Sequence, residues 1–187
     1  MKVGVTMNQK KMYDLTTYEK QIKKNILLKR FAALFIDYII ICVYAGVLFL
    51  LSPMIGPLFQ KSAGQSEILG LILLVIPVFL YFSIFEASKL KATPGKILVK
   101  LKVLKIDKTT FGFKDSFLRS FVKLLPWELA HFALWQVVFS NDGFIFFSEF
   151  LLVIANILLV IYVGFPFFNR RARAIHDIAA HTKLVKK

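Results

Sequence analysis

The sequence predicts an all-α integral membrane protein with four transmembrane helices, both termini in the cytoplasm, and a small cytoplasmic β element. Three observations predict it: apolar residues gather in four long runs, basic residues gather between alternate runs, and one short basic stretch alternates with period two. The 187 residues are 57% hydrophobic and include 20 Phe, above the roughly 45 to 50% apolar share of soluble domains. A mean hydropathy of +0.65 excludes a disordered chain and disfavours a water-soluble globule. Lys and Arg number 25 against 11 Asp and Glu, for a net charge of +14. Beside long apolar runs, this excess points to the anionic inner leaflet of a bilayer rather than to nucleic acid. The one cysteine, Cys42, lies in an apolar run. It excludes an intrachain disulfide and a Cys-based metal site, and a buried thiol is expected.

Residues 1–30 form a polar amphipathic segment with eight Lys or Arg. It is longer and more charged than the n-region of a cleaved signal peptide and no small-residue cleavage site follows, so the first apolar run is expected to be retained. That run extends from Phe31 to Leu51 with Asp37 as its only charge. At about 1.5 Å per residue it reaches the roughly 30 Å of a hydrocarbon core, which predicts the first membrane helix at about 31–51. The second is predicted at 68–85, broken only by Pro77, which membrane helices tolerate. The third, at about 120–139, holds Pro126, Glu128 and His131; Arg119 and Lys123 before its apolar part are expected to snorkel to the surface. The fourth, 150–168, is interrupted by Asn156 and closed by Arg170, Arg171 and Arg173. A membrane domain therefore covers 31–168, followed by a basic tail at 169–187.

Between these runs the Lys and Arg counts are 8, 1, 10, 0 and 6, the single one between the first two being Lys61. That alternation is what the positive-inside rule produces for four crossings with both ends in the cytoplasm. Three crossings would put the basic carboxyl end outside, and a re-entrant third segment would leave the uncharged-by-Lys/Arg loop Ser140 to Glu149 inside, which the rule disfavours.

Within the inner portion, Tyr18, Ile22 and Ile26 recur at four-residue spacing among Lys20, Lys23 and Lys24, as in a helix lying in the interface or in a solvated basic helix. Residues Lys100 to Val103 alternate basic and apolar and predict a strand. Asp107 to Thr110 can turn it, and Thr182 to Val185 can pair with it.

Ionisable groups inside membrane runs are costly unless they face water, other helices or a partner. Measured from the flanking basic residue, Asp37 lies ~10 Å beyond Arg30, Glu128 and His131 lie ~7 and ~12 Å beyond Lys123, and Tyr162 lies ~12 Å before Arg170. Glu86 closes the second run. These depths predict one polar cluster in the cytoplasmic half of the bundle, with Asp37, Glu128, His131 and Glu86 as ion or proton pathway candidates. Arg30 and Asp37, seven apart, share a helical face, and each can equally serve as a structural ion pair with another helix. Glu128 and His131 stand at i and i+3, a spacing found among metal ligands in helical bundles. Those sites use two such motifs and two further carboxylates, so a hydrogen-bonded Glu–His pair is the stronger reading and no metal or cofactor is expected. Pro126 deprives the Val122 carbonyl of its helical partner and predicts a kink.

Thr93-Pro94-Gly95-Lys96 is no phosphate-binding loop, because the first glycine is missing and Ile97 stands where Ser or Thr would hold Mg²⁺; a tight turn is expected. No Ser/His/Asp arrangement or nucleotide fingerprint is present, and an enzyme is not expected. Asp177 is read as a partner for an Arg, and His176 as unremarkable in role.

Arg30 at the start of the first membrane helix, Asp37 in its middle and Asp177 in Arg-Ala-Ile-His-Asp-Ile-Ala-Ala-His-Thr form an ordered pattern. Together with Ala92-Thr93-Pro94-Gly95-Lys96 it resembles the RDD family of bacterial multi-pass membrane proteins over most of residues 28 to 185. The resemblance implies a bacterial cytoplasmic-membrane protein with a shared core of about three membrane helices, Arg30 as the partner of Asp177, and transport, including cation/proton antiport for some members. In that case Asp37 would bind a proton or cation, Glu128 and His131 would relay, Glu86 with Arg30 would gate, and a homo-oligomer would be required. The alternative is an accessory or scaffold protein binding lipid headgroups or a partner membrane protein.

Overall fold

The computed structural model describes residues 7–59, 62–139 and 145–187. Lys61, the first six residues of the polar segment and residues 140–144 of the loop expected at Ser140 to Glu149 lie outside these. Helix α1 runs without a break from Met7 to Leu50, so the polar segment and the first apolar run are one helix. No Gly or Pro interrupts the stretch before Gly46, which removes the usual causes of a break. At ~66 Å it is about twice a hydrocarbon core. It ends before Pro53, whose nitrogen has no N–H to bond the Phe49 carbonyl four residues earlier, and a short helix α2 follows at Ser52–Ile55.

Helix α3, Ala63–Gly70, is capped by the Ser62 hydroxyl, which accepts from the Gln65 amide. It passes through a π-turn at Leu71–Val75 into α4, Ile76–Ala87, and the three make one span of 25 residues. The turn has an identifiable cause. Pro77 has no N–H for the Leu73 carbonyl four residues earlier; that oxygen instead accepts from the Tyr44 hydroxyl of α1 at 2.5 Å. A helix break is thereby converted into a contact between helices.

Where a tight turn was expected, Pro94–Leu98 forms a one-turn helix, α5, with Thr93 as its cap. Thr93 accepts from the Lys96 amide and Pro94 occupies the first turn, where its missing N–H does no harm. Strand β1, Leu101–Lys105, pairs antiparallel with β2, Thr182–Lys186, in the register Leu101 to Lys186 through Lys105 to Thr182. The expected pairing therefore holds. Asp107 closes the end of β1 by accepting from the Thr109 amide and hydroxyl. Leu101, Val103 and Leu184 face inward with Phe111, and Ile26 of α1 packs on them. The four-residue apolar spacing of α1 thus seats a sheet at Ile26, while Tyr18 stays 66% exposed.

Helix α6, Phe113–Phe139, packs against α3, α4 and α7, Ile145–Phe168. It continues through the buried Pro126 as one helix. A short α8, Ile175–Ala179, leads into β2. Phe31 stacks on Phe167 at 5.0 Å and joins α1 to α7. Cys42 is exposed, contrary to the buried thiol expected from its apolar neighbours; it is on the outer surface of α1, where apolar residues face lipid instead of protein.

Among the described residues, three helices are long and apolar enough to cross a membrane: Thr17–Leu50, Ala63–Ala87 and Phe146–Phe168. In their most apolar windows only 11%, 22% and 11% of residues are buried within the protein. Apolar surface of that extent, left uncovered, belongs in lipid and not in water.

Candidate functional site

Asp37 is buried at 2% exposure and collects three donors that carry no charge. The Tyr81 hydroxyl of α4 donates to it at 2.7 Å, the Thr93 hydroxyl at 2.6 Å and the Gly95 amide at 2.8 Å. The middle of α1 thereby holds the cap and first turn of α5. This contact is possible because Gly95 has no side chain: a Cβ there would overlap the Ala33 carbonyl oxygen and stand 2.7 Å from Asp37 Oδ1.

Glu86, at the end of α4, is fully buried and accepts from three cations. Arg119 Nε lies at 2.8 Å, Lys123 Nζ at 3.3 Å, and Lys96 Nζ of α5 forms a short ion pair. Lys123 also stands 3.7 Å over the Phe82 ring, a cation–π contact. Arg119, with no exposed surface, turns its Nη1 to Asp177 at 2.5 Å and to the Thr182 hydroxyl oxygen. Asp177 receives Arg30 as well, and its Oδ2 accepts from the Ala174 amide at 2.8 Å, capping α8. One guanidinium therefore ties α4, α6, α8 and β2 together, and Arg30 fastens α1 to the same carboxylate.

Burial alone would raise the Asp177 carboxyl, but the Arg119 and Arg30 guanidiniums hold it well below the ordinary carboxylate range. His176 is 14% exposed. Burial pushes its imidazole well below its usual value; Asp177 opposes that shift, and Arg119, Lys123 and Arg30 add to it. An imidazole kept neutral in the fold has a definite consequence for pH. Below its unfolded value of about 6.5 the unfolded chain takes up a proton that the folded chain refuses, so stability falls as pH drops. Asp177 acts in a different window, since its contribution is complete above about pH 4 and lost only below. The melting temperature in detergent should therefore fall between pH 7.5 and 5.5, and His176→Gln should flatten that slope; an unchanged slope would contradict the assignment.

The expected single cluster divides in two. Glu128 and His131 meet Glu67 of α3, with one ligand atom from each within 4.8 Å of the others. His131 Nδ1 is 3.5 Å from Glu67 Oε2, and Trp135 Nε1 donates to His131 Nε2 at 3.1 Å. Glu67 and Tyr81, the latter bonded to Asp37, are 14 positions apart on one helical run, or ~21 Å. Asp37 therefore does not share a pocket with Glu128 and His131. Glu86 and Arg30 likewise form no direct pair; Arg119 stands between them. The pairing of Arg30 with Asp177 is present as expected. Tyr162 lines a cavity beside Arg30 and Asp37.

The sequence reading missed Glu67 and sent Arg119 and Lys123 to the membrane surface; instead both turn inward to Glu86, because that buried carboxylate needs a counter-charge. Ser116, Arg119, Ser120 and Lys123 recur at three- and four-residue spacing, a polar stripe with the period of a buried helix face, and all but Lys123 are buried to 0% exposure. Glu67 carried no such signal.

Compared with known proteins, the model of the RDD family matches residues 26–181, a span that includes Arg30, Asp37, Glu86, Arg119 and Asp177. No curated protein and no solved structure matches the chain.

Proposed function

The chain belongs to the RDD family, and from that premise we propose that it is a membrane-embedded scaffold, an accessory protein that binds lipid headgroups or a partner membrane protein. The observation that supports this reading is the saturation of its inner carboxylates. Asp37 takes three neutral donors, Glu86 three cations and Asp177 two guanidiniums. A carboxylate compensated in this way has little to offer a mobile cation, and its partners stay put because separating a buried pair strands a charge. The proposed topology has four crossings in the bacterial cytoplasmic membrane with both termini inside. Helix α6, ~40 Å long, supplies the fourth, and the alternation of basic segments supports that orientation.

Cation/proton exchange is the second reading. It is favoured by Glu67, Glu128 and His131, where Glu67 Oε2, Glu128 Oε2 and His131 Nδ1 are buried without a hydrogen-bond partner among the described residues. Ionisable groups left open in this way mark proton routes in transporters. Reconstitution into liposomes with an internal pH dye separates the two. The scaffold reading expects no proton movement when Na⁺, K⁺ or Li⁺ is added; flux that disappears in a folded Glu128→Gln variant would overturn it.

A further inference from the structure

Among α1, α6, α7 and the segment leading into α8, the fold leaves a cavity of about 190 Å³. One side is the ion network, with Arg30, Lys96, Arg119 and Lys123 in its lining; the other is apolar, with Leu34 of α1 and Leu159 and Val163 of α7. The charges beside it do not cancel. Four cations of the lining meet Glu86 and Asp177 just behind it, and adding Asp37, the carboxylate in the lining itself, still leaves four positive charges against three negative. A buried charge without a counter-charge is unfavourable, and an anion at this position would relieve it.

A second observation points the same way. Arg119 Nη2, on a side chain with no exposed surface, is buried without a partner among the described residues, and so are Arg30 Nε and His176 Nδ1. Arginine N–H groups can only donate, so what the two guanidiniums lack is an acceptor. Arg30, Arg119 and His176 all line the cavity, and α7 contributes Leu159, Tyr162, Val163 and Pro166 to it.

We propose that this cavity binds the anionic head group of an amphiphile, with its phosphate or carboxylate against Arg30, Arg119 and Lys123 and its acyl chain along Leu34, Leu159 and Val163. The proposal rests on the scaffold reading and names its ligand. A phosphate accepts from guanidiniums in a way that a zwitterionic headgroup, carrying its own cation, does not match.

The test is the thermal stability of the full-length protein in a neutral detergent, titrated with phosphatidylglycerol, phosphatidylcholine or inorganic phosphate. Phosphatidylglycerol should raise the melting temperature by roughly 5 °C, and the other two should not. Lys123→Gln should reduce the rise. Leu159→Trp, which fills the apolar side away from the ion network, should abolish it while leaving the lipid-free protein folded. A rise of the same size with phosphatidylcholine, a rise unchanged in both variants, or no rise with any lipid overturns the proposal. A rise with inorganic phosphate alone overturns the amphiphile and leaves a free-anion site. The liposome flux measurement decides the scaffold reading separately: ion flux together with an intact phosphatidylglycerol response removes that reading and keeps the site.

Discussion

Arg119→Met should lower the midpoint of thermal unfolding by roughly 10 °C, or prevent folded protein from accumulating. Removing one partner of a buried ion pair costs about 3 to 5 kcal/mol, a large part of the roughly 5 to 15 kcal/mol that keeps a protein folded, and each kcal/mol moves the midpoint of a chain this size by about 2 to 4 °C. Arg119 makes contacts that no other side chain can take over. It reaches Glu86 through Nε, and Asp177 and Thr182 through Nη1. Arg119→Lys should fail to restore stability, because an ammonium is a point donor and cannot span those partners as a planar guanidinium does. Size-exclusion chromatography of a fluorescent fusion, heated stepwise in detergent, reads the effect. A midpoint within 2 °C of the unmodified protein would show that the guanidinium is dispensable.

Gly95→Ala should destabilise by about 2 to 3 kcal/mol, through contact and not through backbone strain. No glycine in the described residues has positive φ, and in a helix Ala is intrinsically favoured over Gly by about 1 kcal/mol. The added carbon would overlap the Ala33 carbonyl oxygen and crowd Asp37 Oδ1. Overpacking of this kind costs typically 1 to 3 kcal/mol. The helix α5 must then move off α1 and give up the Gly95 amide bond at 2.8 Å, leaving a buried acceptor short of a donor. Asp37→Asn should cost less, since its amide oxygen can still accept from Tyr81 and Gly95, which share Oδ1, and its NH2 can donate toward Thr93. Melting curves of the two variants check the order; Gly95→Ala as stable as the unmodified protein would place α5 farther from α1.

The apolar runs were legible because bilayer thickness fixes a length and composition that few other constraints impose. The sheet was legible from the alternation around Lys102 and Val103, since period two puts one set of side chains on Phe111 and the other outward. The partnership of Arg30 and Asp177 came from a family pattern, not from spacing, because 147 residues separate them. Depth was the misleading quantity. Counting inward from Lys123 assumed a residue at the membrane surface, but Lys123 lies ten positions, ~15 Å, into α6, against Glu86 and Phe82. The zero of that ruler was therefore displaced, and Glu128 and His131 went with it, toward Glu67 and away from Asp37. Arg119 was sent to the surface for a related reason. A stripe of Ser, Arg, Ser and Lys reads as a solvated face, and only the positions of Glu86 and Asp177 in the fold make it an interior one.

Arg119 acts on Glu86 and Asp177 as one unit that holds the segment of α8 and β2 against the membrane helices. A double-mutant cycle tests it most directly, with Arg119→Met, Asp177→Asn and the combined variant compared by thermal unfolding in the same detergent. The ion network predicts strong non-additivity: the second substitution, made on top of the first, should lower the midpoint far less than it does alone, with a coupling of at least ~1.5 kcal/mol. Two losses that add within about 0.5 kcal/mol would mean that the two side chains stabilise the fold independently, and the network would not be the unit described.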